Sequence, residues 1–148
     1  MNQSADIRNV DENHYGYAIS LRVRHPSLDP SEITRGLQLN PDRTWRAGEP
    51  RVTKKGAPLE GVYSKTFWTK TFVEGEFLDK GLPAAIGEIV DQLAPHRAFF
   101  QRVRLEGGTA EFFVGWFFNR QSGGTFDCDL MARLADLRID LSFDVYPP

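Results

Sequence analysis

The stretch TAEFFVGWFF, residues 109–118, decides the fold because its apolar side chains fall on both faces of an extended chain. One face carries Ala110, Phe112, Val114, Trp116 and Phe118, and the other carries Phe113, Gly115 and Phe117. A strand that is apolar on both faces is typical of the inside of a sheet. Glycine pairs at 107–108 and 123–124 bracket the run. The pattern therefore predicts a central strand on which Phe112, Val114 and Trp116 are buried.

Three further strands are predicted from residue composition and from the alternation of apolar and polar side chains. Residues 17–24 alternate between an apolar face that begins at Tyr17 and a polar face that ends at Arg24. Residues 139–146 alternate in the same way, while residues 62–73 are rich in β-branched and aromatic side chains. Between the first two strands along the chain, residues 40–61 combine proline, glycine and charge without a sustained period, which predicts a long ordered loop.

Capping residues mark the predicted helices. Asp29 precedes a proline and begins a short helix that closes at residues 40–41, and Asp79 begins a second helix that runs to about Leu93. Pro95 interrupts that second helix and fits the first turn of another one over residues 95–105. Asp127 begins the last helix. The middle of the chain is thus a kinked helical connector.

The order of elements predicts an α+β domain with a four-stranded, largely antiparallel sheet and helices packed on it. Two βαβ-like halves flank the helical connector, and this pattern suggests a ferredoxin-like split βαβ topology. A length of 148 residues fits one domain, which we expect over residues 15–148 after a loose polar lead at residues 1–14.

Composition and charge narrow the class of protein. The chain is 41% hydrophobic and 26% charged with a net charge of −2, which is ordinary for a globular domain and argues against bulk nucleic-acid binding. No run approaches the roughly 20 apolar residues of a membrane span, and the N-terminus lacks the basic end and apolar run of a signal peptide. A single cysteine, Cys128, excludes an intramolecular disulfide. We therefore expect a cytoplasmic protein with no membrane partner.

Catalytic and metal-binding patterns are not found in the sequence. His14, His25 and His96 lie far apart, and Cys128 has only aspartates beside it, so no ligand spacing for a metal emerges. No serine, histidine and aspartate fall in the sequence context of a nucleophile elbow, and the glycine pair at 123–124 lacks the lysine of a phosphate-binding loop. We expect no metal, no cofactor and no catalytic residues, and a function other than catalysis.

A basic segment around Trp45 is the one local anomaly. Over residues 43–55 the charged residues give a net charge of +4: Arg43, Arg46, Arg51, Lys54 and Lys55 against Glu49. Such a segment could bind an anion or an acidic partner through Trp45, Arg46, Glu49 and Arg51, since arginine and tryptophan are enriched at binding hot spots. The alternative, which we favour, is that Trp45 tethers the segment to the sheet. We then expect the indole to cover the strand at 62–73 and Arg46 to be held by Glu49.

The C-terminal segment is acidic. Asp127, Asp129, Asp136, Asp140 and Asp144 outweigh Arg133 and Arg138 by three charges. Asp140 and Asp144 project from the solvent side of the last strand, where solvation and protection of a sheet edge explain them better than acid–base chemistry. If that strand neighbours the first one, ion pairs with Arg22 and Arg24 are expected.

Several of these stretches together resemble a known family. HPSLDPSEITRGLQLNP and RTWRAGEPR early in the chain, and FFVGWFF and MARLADLRIDLSFDVYP late in it, resemble the bacterial domain-of-unknown-function (DUF) family 4279 over residues 17–147. Trp45, Arg46, Gly48, Glu49, Gly115 and Trp116 match its pattern, whereas Tyr63 stands where family members tend to have tryptophan. The resemblance implies a stand-alone bacterial cytoplasmic domain and no particular activity or catalytic residues.

Two classes of function remain. The first is a protein-binding module, in the manner of an immunity or antitoxin-like protein, because a small domain without catalytic residues acts through an exposed complementary patch. The second is a small-ligand-binding protein or enzyme that uses a pocket between the Trp45 segment and the sheet, with Arg46 and Glu49 as its polar groups. Nucleic-acid binding is the weakest of the alternatives, given the net charge.

Overall fold

A computed structural model of the chain describes residues 15–76, 80–118 and 123–146. Within these ranges the elements are, in chain order, β1 (Tyr15–His25), α1 (Pro30–Leu37), β2 (Arg43–Trp45), β3 (Pro50–Val52), β4 (Pro58–Val62), β5 (Thr66–Glu76), α2 (Leu82–Leu93), a 3-10 turn (Ala94–His96), α3 (Arg97–Leu105), β6 (Thr109–Phe118), α4 (Cys128–Asp136) and β7 (Ile139–Tyr146). The predicted lead at residues 1–14 lies outside the described residues, as does the predicted cap Asp79.

The main sheet has five strands in the order β2-β5-β1-β6-β7. β1 pairs antiparallel with β5 on one side and β6 on the other, β2 pairs antiparallel with β5, and β6 pairs parallel with β7. The α+β class is confirmed, and the predicted four-stranded antiparallel sheet is matched only roughly. The ferredoxin-like arrangement predicted for the two halves is wrong, because β1 and β5 are adjacent and antiparallel, while β6 and β7 are adjacent and parallel.

The helices cover one face of this sheet, which we call the covered face. Alternate strand residues point into it and are buried with the apolar stripes of all four α-helices: Tyr17, Ile19, Leu21, Val23, Trp68, Phe112 and Val114 from the strands, and Ile33, Leu37, Ile86, Val90, Phe100, Val103, Leu130 and Leu134 from the helices. Burial of apolar surface at about 25 cal/mol per Å² makes this layer the main source of stability.

Residues 109–118 form β6, an inner strand that lies between β1 and β7. The middle strand of the sheet is β1. Phe112 and Val114 are fully buried, as predicted. Trp116 is only partly buried and packs on Phe143 with ring centroids 6.1 Å apart, so the prediction that it is buried is met only in part. Phe117, on the opposite face, is exposed.

Two of the predicted helix caps are present. Asp29 Oδ1 accepts a hydrogen bond from the Ser31 amide at 2.9 Å, and Asp127 Oδ1 accepts one from the Leu130 amide at 2.8 Å. The residue at the N-cap of α2 is Gly81. The kinked connector is confirmed as α2, the 3-10 turn and α3. No helix in the described ranges is both long and apolar enough to cross a membrane.

Residues 40–61 are not the predicted loop. They contain β2, which extends the main sheet, and β3 and β4, which form a two-stranded sheet of their own that we call the hairpin (residues 50–62). The turn of the hairpin ends at Gly56, whose φ of +87° favours glycine, and the Thr53 amide donates to the Ala57 carbonyl at 2.8 Å. The strand predicted over residues 62–73 is divided, because β4 ends at Val62 and β5 begins at Thr66.

A close approach of two chain segments fixes the start of β6. A Cβ added at Gly108 would lie 2.5 Å from the Arg24 carbonyl oxygen and 2.8 Å from a methyl group of Val103. Since the first of these atoms belongs to the backbone of β1, the space cannot be opened by rotating a side chain. Only glycine at position 108 allows α3 to turn into β6 directly beside β1.

Candidate binding site at the hairpin

The second face of the main sheet, which we call the open face, carries no helix from the part of the chain that the structure describes. Register places the following residues on it: Arg43 and Trp45 of β2, Phe67, Thr69 and Thr71 of β5, Ser20, Arg22 and Arg24 of β1, Glu111, Phe113 and Phe117 of β6, and Asp140, Ser142, Asp144 and Tyr146 of β7. Arginines and aromatic rings interleave here, with the Arg22 guanidinium 3.6 Å above the centre of the Phe113 ring. The open face is therefore held together by pairwise contacts rather than by a second layer.

Trp45 organises one end of the open face. Its ring stacks on Phe67 with centroids 4.4 Å apart, and on Tyr63 with centroids 4.6 Å apart and an interplanar angle of 11°. Arginine guanidiniums lie over two of these rings, that of Arg43 at 5.0 Å from Trp45 and that of Arg24 at 5.3 Å from Phe67. The predicted packing of Trp45 against the segment 62–73 is confirmed. Tyr63 supplies an aromatic ring to this stack, so the stack forms without a tryptophan at that position.

Tyr63 connects the ring stack to the hairpin. Its hydroxyl accepts a hydrogen bond from the Val52 amide and donates one to the Val52 carbonyl, both at 3.1 Å. Its backbone carbonyl accepts from the Gly48 amide at 2.8 Å, and its amide donates to the Glu49 carbonyl at 3.0 Å. These bonds and the stacked ring fix the hairpin relative to β2 and β5.

A cavity of about 360 Å³ lies at the base of the hairpin. Its lining consists of Arg24, Trp45, Arg51, Val62, Tyr63, Ser64, Lys65, Thr66 and Phe67. Three of these residues are cationic and none is acidic. Thr66 is buried, and its hydroxyl donates to the Leu28 carbonyl at 2.7 Å and accepts from the Ala47 amide at 3.1 Å, so it serves the fold. The cavity combines aromatic walls with an excess of positive charge.

Among the described residues, a carboxylate neutralises only one of the three cations. Arg24 Nη1 lies 2.9 Å from Glu111 Oε1, and Glu111 Oε2 accepts from the Ser142 hydroxyl at 2.7 Å. Desolvation by burial tends to raise the pKa of the Glu111 carboxyl, but the hydrogen bonds from Arg24 and Ser142 outweigh it and lower that pKa below its usual value. Arg51 donates to a backbone carbonyl, that of Glu60, at 3.3 Å.

The residues predicted to form the site are thus only partly brought together. Trp45 and Arg51 line the cavity, whereas Arg46 and Glu49 do not. Arg46 Nη1 lies 3.2 Å from Asp29 Oδ2, so the predicted partner Glu49 is wrong. Glu49 Oε2 instead accepts from the Arg46 backbone amide at 3.4 Å. The turn at residues 46–49 points the Arg46 side chain back towards the start of α1.

Sequence reasoning missed Arg24, Tyr63, Lys65 and Phe67 as members of the site. The signal that could have found them is the glycine turn at 54–56 between short β-prone runs, which indicates a hairpin. A hairpin brings the residues after β4 back to Trp45. Because the side chains of a strand alternate between the two faces of its sheet, Phe67 and Arg24 then lie on the face that carries Trp45.

The predicted ion pairs between β1 and β7 do not form, because β6 lies between these strands. Arg24 pairs with Glu111 of β6 instead. Asp140 accepts from Arg104 at 3.3 Å, and Asp144 accepts from the Tyr146 hydroxyl at 2.8 Å, which raises the pKa of that tyrosine. Asp140 and Asp144 of the last strand therefore contact Arg104 of α3 and Tyr146 instead of the arginines of β1.

The histidine and cysteine residues form no metal site in the described part of the chain. His25 is buried, and its Nδ1 accepts hydrogen bonds from the Ser27 and Leu28 amides at 3.0 and 2.9 Å. Because Nδ1 accepts, the ring proton is on Nε2, which donates to Glu106 Oε1 at 3.0 Å. His25 thus joins the end of β1 to the end of α3 and does not line the cavity. Cys128 is exposed, and His14 lies outside the described residues.

Comparison with known proteins confirms the resemblance in the sequence. A family model with the description "Domain of unknown function (DUF4279)" matches residues 13–148, which is nearly the whole chain. No curated protein and no solved structure matches the chain significantly.

Proposed function

We propose that this chain, which belongs to the DUF4279 family, is a protein-binding module that presents the hairpin to an acidic surface of its partner. The observation that carries the proposal is a rigidly held hairpin that buries almost nothing of its own. Every residue of β3 and β4 is exposed, and the two strands form a sheet separate from the main one.

The composition of the hairpin fits an interface. Three of its large hydrophobic side chains are exposed, Val52 at 39%, Leu59 at 42% and Val62 at 58%. Arg51, Lys54 and Lys55 lie among them and are also exposed. Apolar side chains interspersed with arginine are typical of protein interfaces, in which burial supplies affinity and charge selects the partner.

The fixed orientation of the hairpin supports the same proposal. The ring stack of Tyr63, Trp45 and Phe67 and the two hydrogen bonds between Tyr63 and Val52 hold the hairpin in one orientation. A partner that binds a preorganised element does not have to order it first, so less binding energy is lost to conformational entropy.

The charge distribution favours an acidic partner. Residues 43–55 carry a net charge of +4 in a chain whose net charge is −2, so the remainder of the chain carries −6. This asymmetry directs an acidic surface towards the hairpin and away from the rest of the domain. The rings near the hairpin stack on one another and on guanidiniums, which favours a protein over a single-stranded nucleic acid that would need those ring faces for its bases.

A photo-crosslinking experiment tests the proposal. A photoreactive amino acid replaces Leu59 on the hairpin in one version of the full chain, and Met131 on α4 in a control version, since both side chains are exposed. Proteins crosslinked in cells from position 59 and not from position 131 are then purified, and their affinity for the unmodified chain is measured.

We expect an acidic protein whose affinity falls at least tenfold for the double variant Lys54→Glu/Lys55→Glu and falls with added salt. Crosslinks at position 59 that are lost on nuclease treatment would point to a nucleic acid and contradict the proposal, as would equal binding of the double variant. An immunity or antitoxin-like role is the specific form of this proposal that a toxin gene beside the coding gene would support.

A further inference from the structure

We infer that the cavity at the base of the hairpin binds a small organic oxyanion, a carboxylate or a phosphate attached to a flat apolar group. This ligand site goes beyond the protein-binding proposal and does not depend on it. The site consists of Arg51 and Lys65, two cations with no carboxylate partner among the described residues, together with Arg24 and the walls formed by Trp45, Tyr63 and Phe67.

The positive charge of the cavity lining favours an anionic ligand. Of the three cations that line the cavity, Arg24 has Glu111 as its counter-ion. Among the described residues, no carboxylate lies within ion-pair distance of Arg51 or Lys65. Two positive charges therefore face a shared cavity in a protein whose overall charge is negative. An anion between them removes their mutual repulsion and gains attraction from both.

The donor groups fit an oxyanion. A guanidinium presents paired N–H groups that match the two oxygens of a carboxylate or phosphate, and a lysine ammonium adds a point charge beside them. Ser64 adds a hydroxyl to the same lining, and the described contacts assign no protein partner to it. The hydrogen bond and ion pair to Glu111 hold Arg24 in place before any ligand arrives.

The walls and the size of the cavity determine the rest of the ligand. Trp45, Tyr63, Phe67 and Val62 supply ring and methyl surface beside the cations. The volume of about 360 Å³ lies at the lower end of the range for small-molecule sites, roughly 300 to 1,000 Å³. The ligand is thus a compact molecule, or the end of a larger one, with a flat apolar body and one anionic end.

The test compares benzoate with benzamide, which has nearly the same shape and no charge. Each is titrated into the isotopically labelled full chain, and amide and indole N–H resonances are followed by NMR. We expect benzoate to shift the Trp45 indole N–H and the amides of residues 64–67 in a saturable way, and benzamide to bind at least tenfold more weakly. Equal binding of the two compounds, or shifts away from the cavity, would overturn the inference.

Single substitutions test whether benzoate binds in the cavity itself. Arg51→Gln and Lys65→Gln should each weaken benzoate binding about threefold to tenfold, which corresponds to the loss of one partly exposed charge contact. Lys55→Gln removes a cation from the turn of the hairpin outside the cavity and should leave benzoate binding unchanged. A threefold or larger loss for Lys55→Gln would show that only the general charge of the hairpin matters, and would contradict a defined site.

The anion could be a free molecule or the end of a partner protein. A short peptide ending in phenylalanine is therefore compared with the same peptide as its C-terminal amide. Tighter binding of the free acid than of benzoate assigns the site to a protein C-terminus, and preference for benzoate assigns it to a free molecule; either result supports the cavity. The variant Lys54→Glu/Lys55→Glu, which tests the protein-binding proposal, keeps every lining residue, so the two proposals can fail separately.

Discussion

Phe67 and Trp68 are neighbours on β5, yet they show how differently the two faces of the main sheet are built. Trp68 points to the covered face, where it is fully buried and its indole Nε1 donates to the Thr34 hydroxyl at 3.1 Å. Phe67 points to the open face, where it is partly exposed between the Trp45 ring and the Arg24 guanidinium. The covered face is stabilised by exclusion of water, and the open face by paired contacts that leave its atoms accessible.

The two faces therefore differ in whether their side chains serve stability or can serve binding. On the covered face nearly every strand side chain serves stability, and substitution there acts on the whole domain. On the open face the contacts involve charged groups that are only partly buried, as with Arg22, whose pKa is lowered because partial burial disfavours its charge. The cavity and the hairpin both adjoin this second face.

Trp68→Ala should have the largest effect. Loss of a fully buried indole leaves a cavity in the covered face, and the expected decrease in the free energy of unfolding is about 3 to 5 kcal/mol. Chemical denaturation followed by circular dichroism measures it. A decrease below about 1 kcal/mol would mean that the covered face is not the main source of stability.

Gly108→Ala should come next, because its new methyl group meets the backbone of β1. We expect a loss of about 1 to 3 kcal/mol, typical of overpacking. Gly123→Ala is the matched control, since a Cβ at that position would meet nothing within 4 Å. Melting curves of the two variants that coincide would contradict the close approach of β1 and β6.

Trp45→Ala should affect the hairpin more than the domain. The substitution removes the middle of the ring stack, so we expect a global loss of about 1 to 2 kcal/mol and faster hydrogen exchange over residues 50–62. Exchange over β1 and β6 should remain close to that of the unmodified chain. Uniformly faster exchange throughout the domain would show that the open face supports the core after all.

Glu111→Gln should reveal a pH-dependent contribution of the open face. Because the pKa of Glu111 is lowered in the folded chain, its carboxylate stabilises the fold above the usual carboxyl pKa, and this stabilisation is lost as pH falls through the lowered value. We expect the variant to be less stable by about 1 kcal/mol at neutral pH. The difference should shrink as pH is lowered below about 4.5. Denaturation at several pH values measures it, and a constant difference would contradict the assigned role.

Arg46→Ala should have the smallest effect. Its ion pair with Asp29 joins two side chains that are nearly half exposed, so we expect a loss below about 1 kcal/mol. Asp29 also caps α1, which makes Asp29→Ala alone a poor measure of the pair. A double-mutant cycle should therefore give only a small coupling, as is typical of exposed ion pairs. A larger coupling would make Arg46 a structural anchor comparable to Trp45.

Local sequence signals predicted a large part of the fold and less of the site. The apolar run at 109–118 and the caps Asp29 and Asp127 depend on neighbouring residues only, and each predicted its element. The extent of burial could not be read in the same way. Phe143 and Val145 alternate as core residues do, yet both side chains are exposed.

The hairpin and the cavity escaped prediction for a different reason. β2 and β3 have three residues each, too few to show a period of two. The cavity also depends on pairings between distant segments, since Arg24 reaches it only because β1 lies beside β5. Trp45 and Arg51 were recognisable from residue type and local charge, whereas Lys65 and Arg24 required knowledge of the pairing.

The position of β1 in the middle of the sheet also governs how the chain matures during synthesis. Tyr17 is flanked by Gly75 on one side and by Trp116 on the other, so one neighbour of the first strand is made long after it. Until β6 has been translated, β1 is an edge strand with unpaired backbone groups, which another chain can recruit. A nascent chain arrested before Thr109 therefore exposes a strand prone to aggregation, whereas one released beyond Phe118 can place β1 between both of its partners.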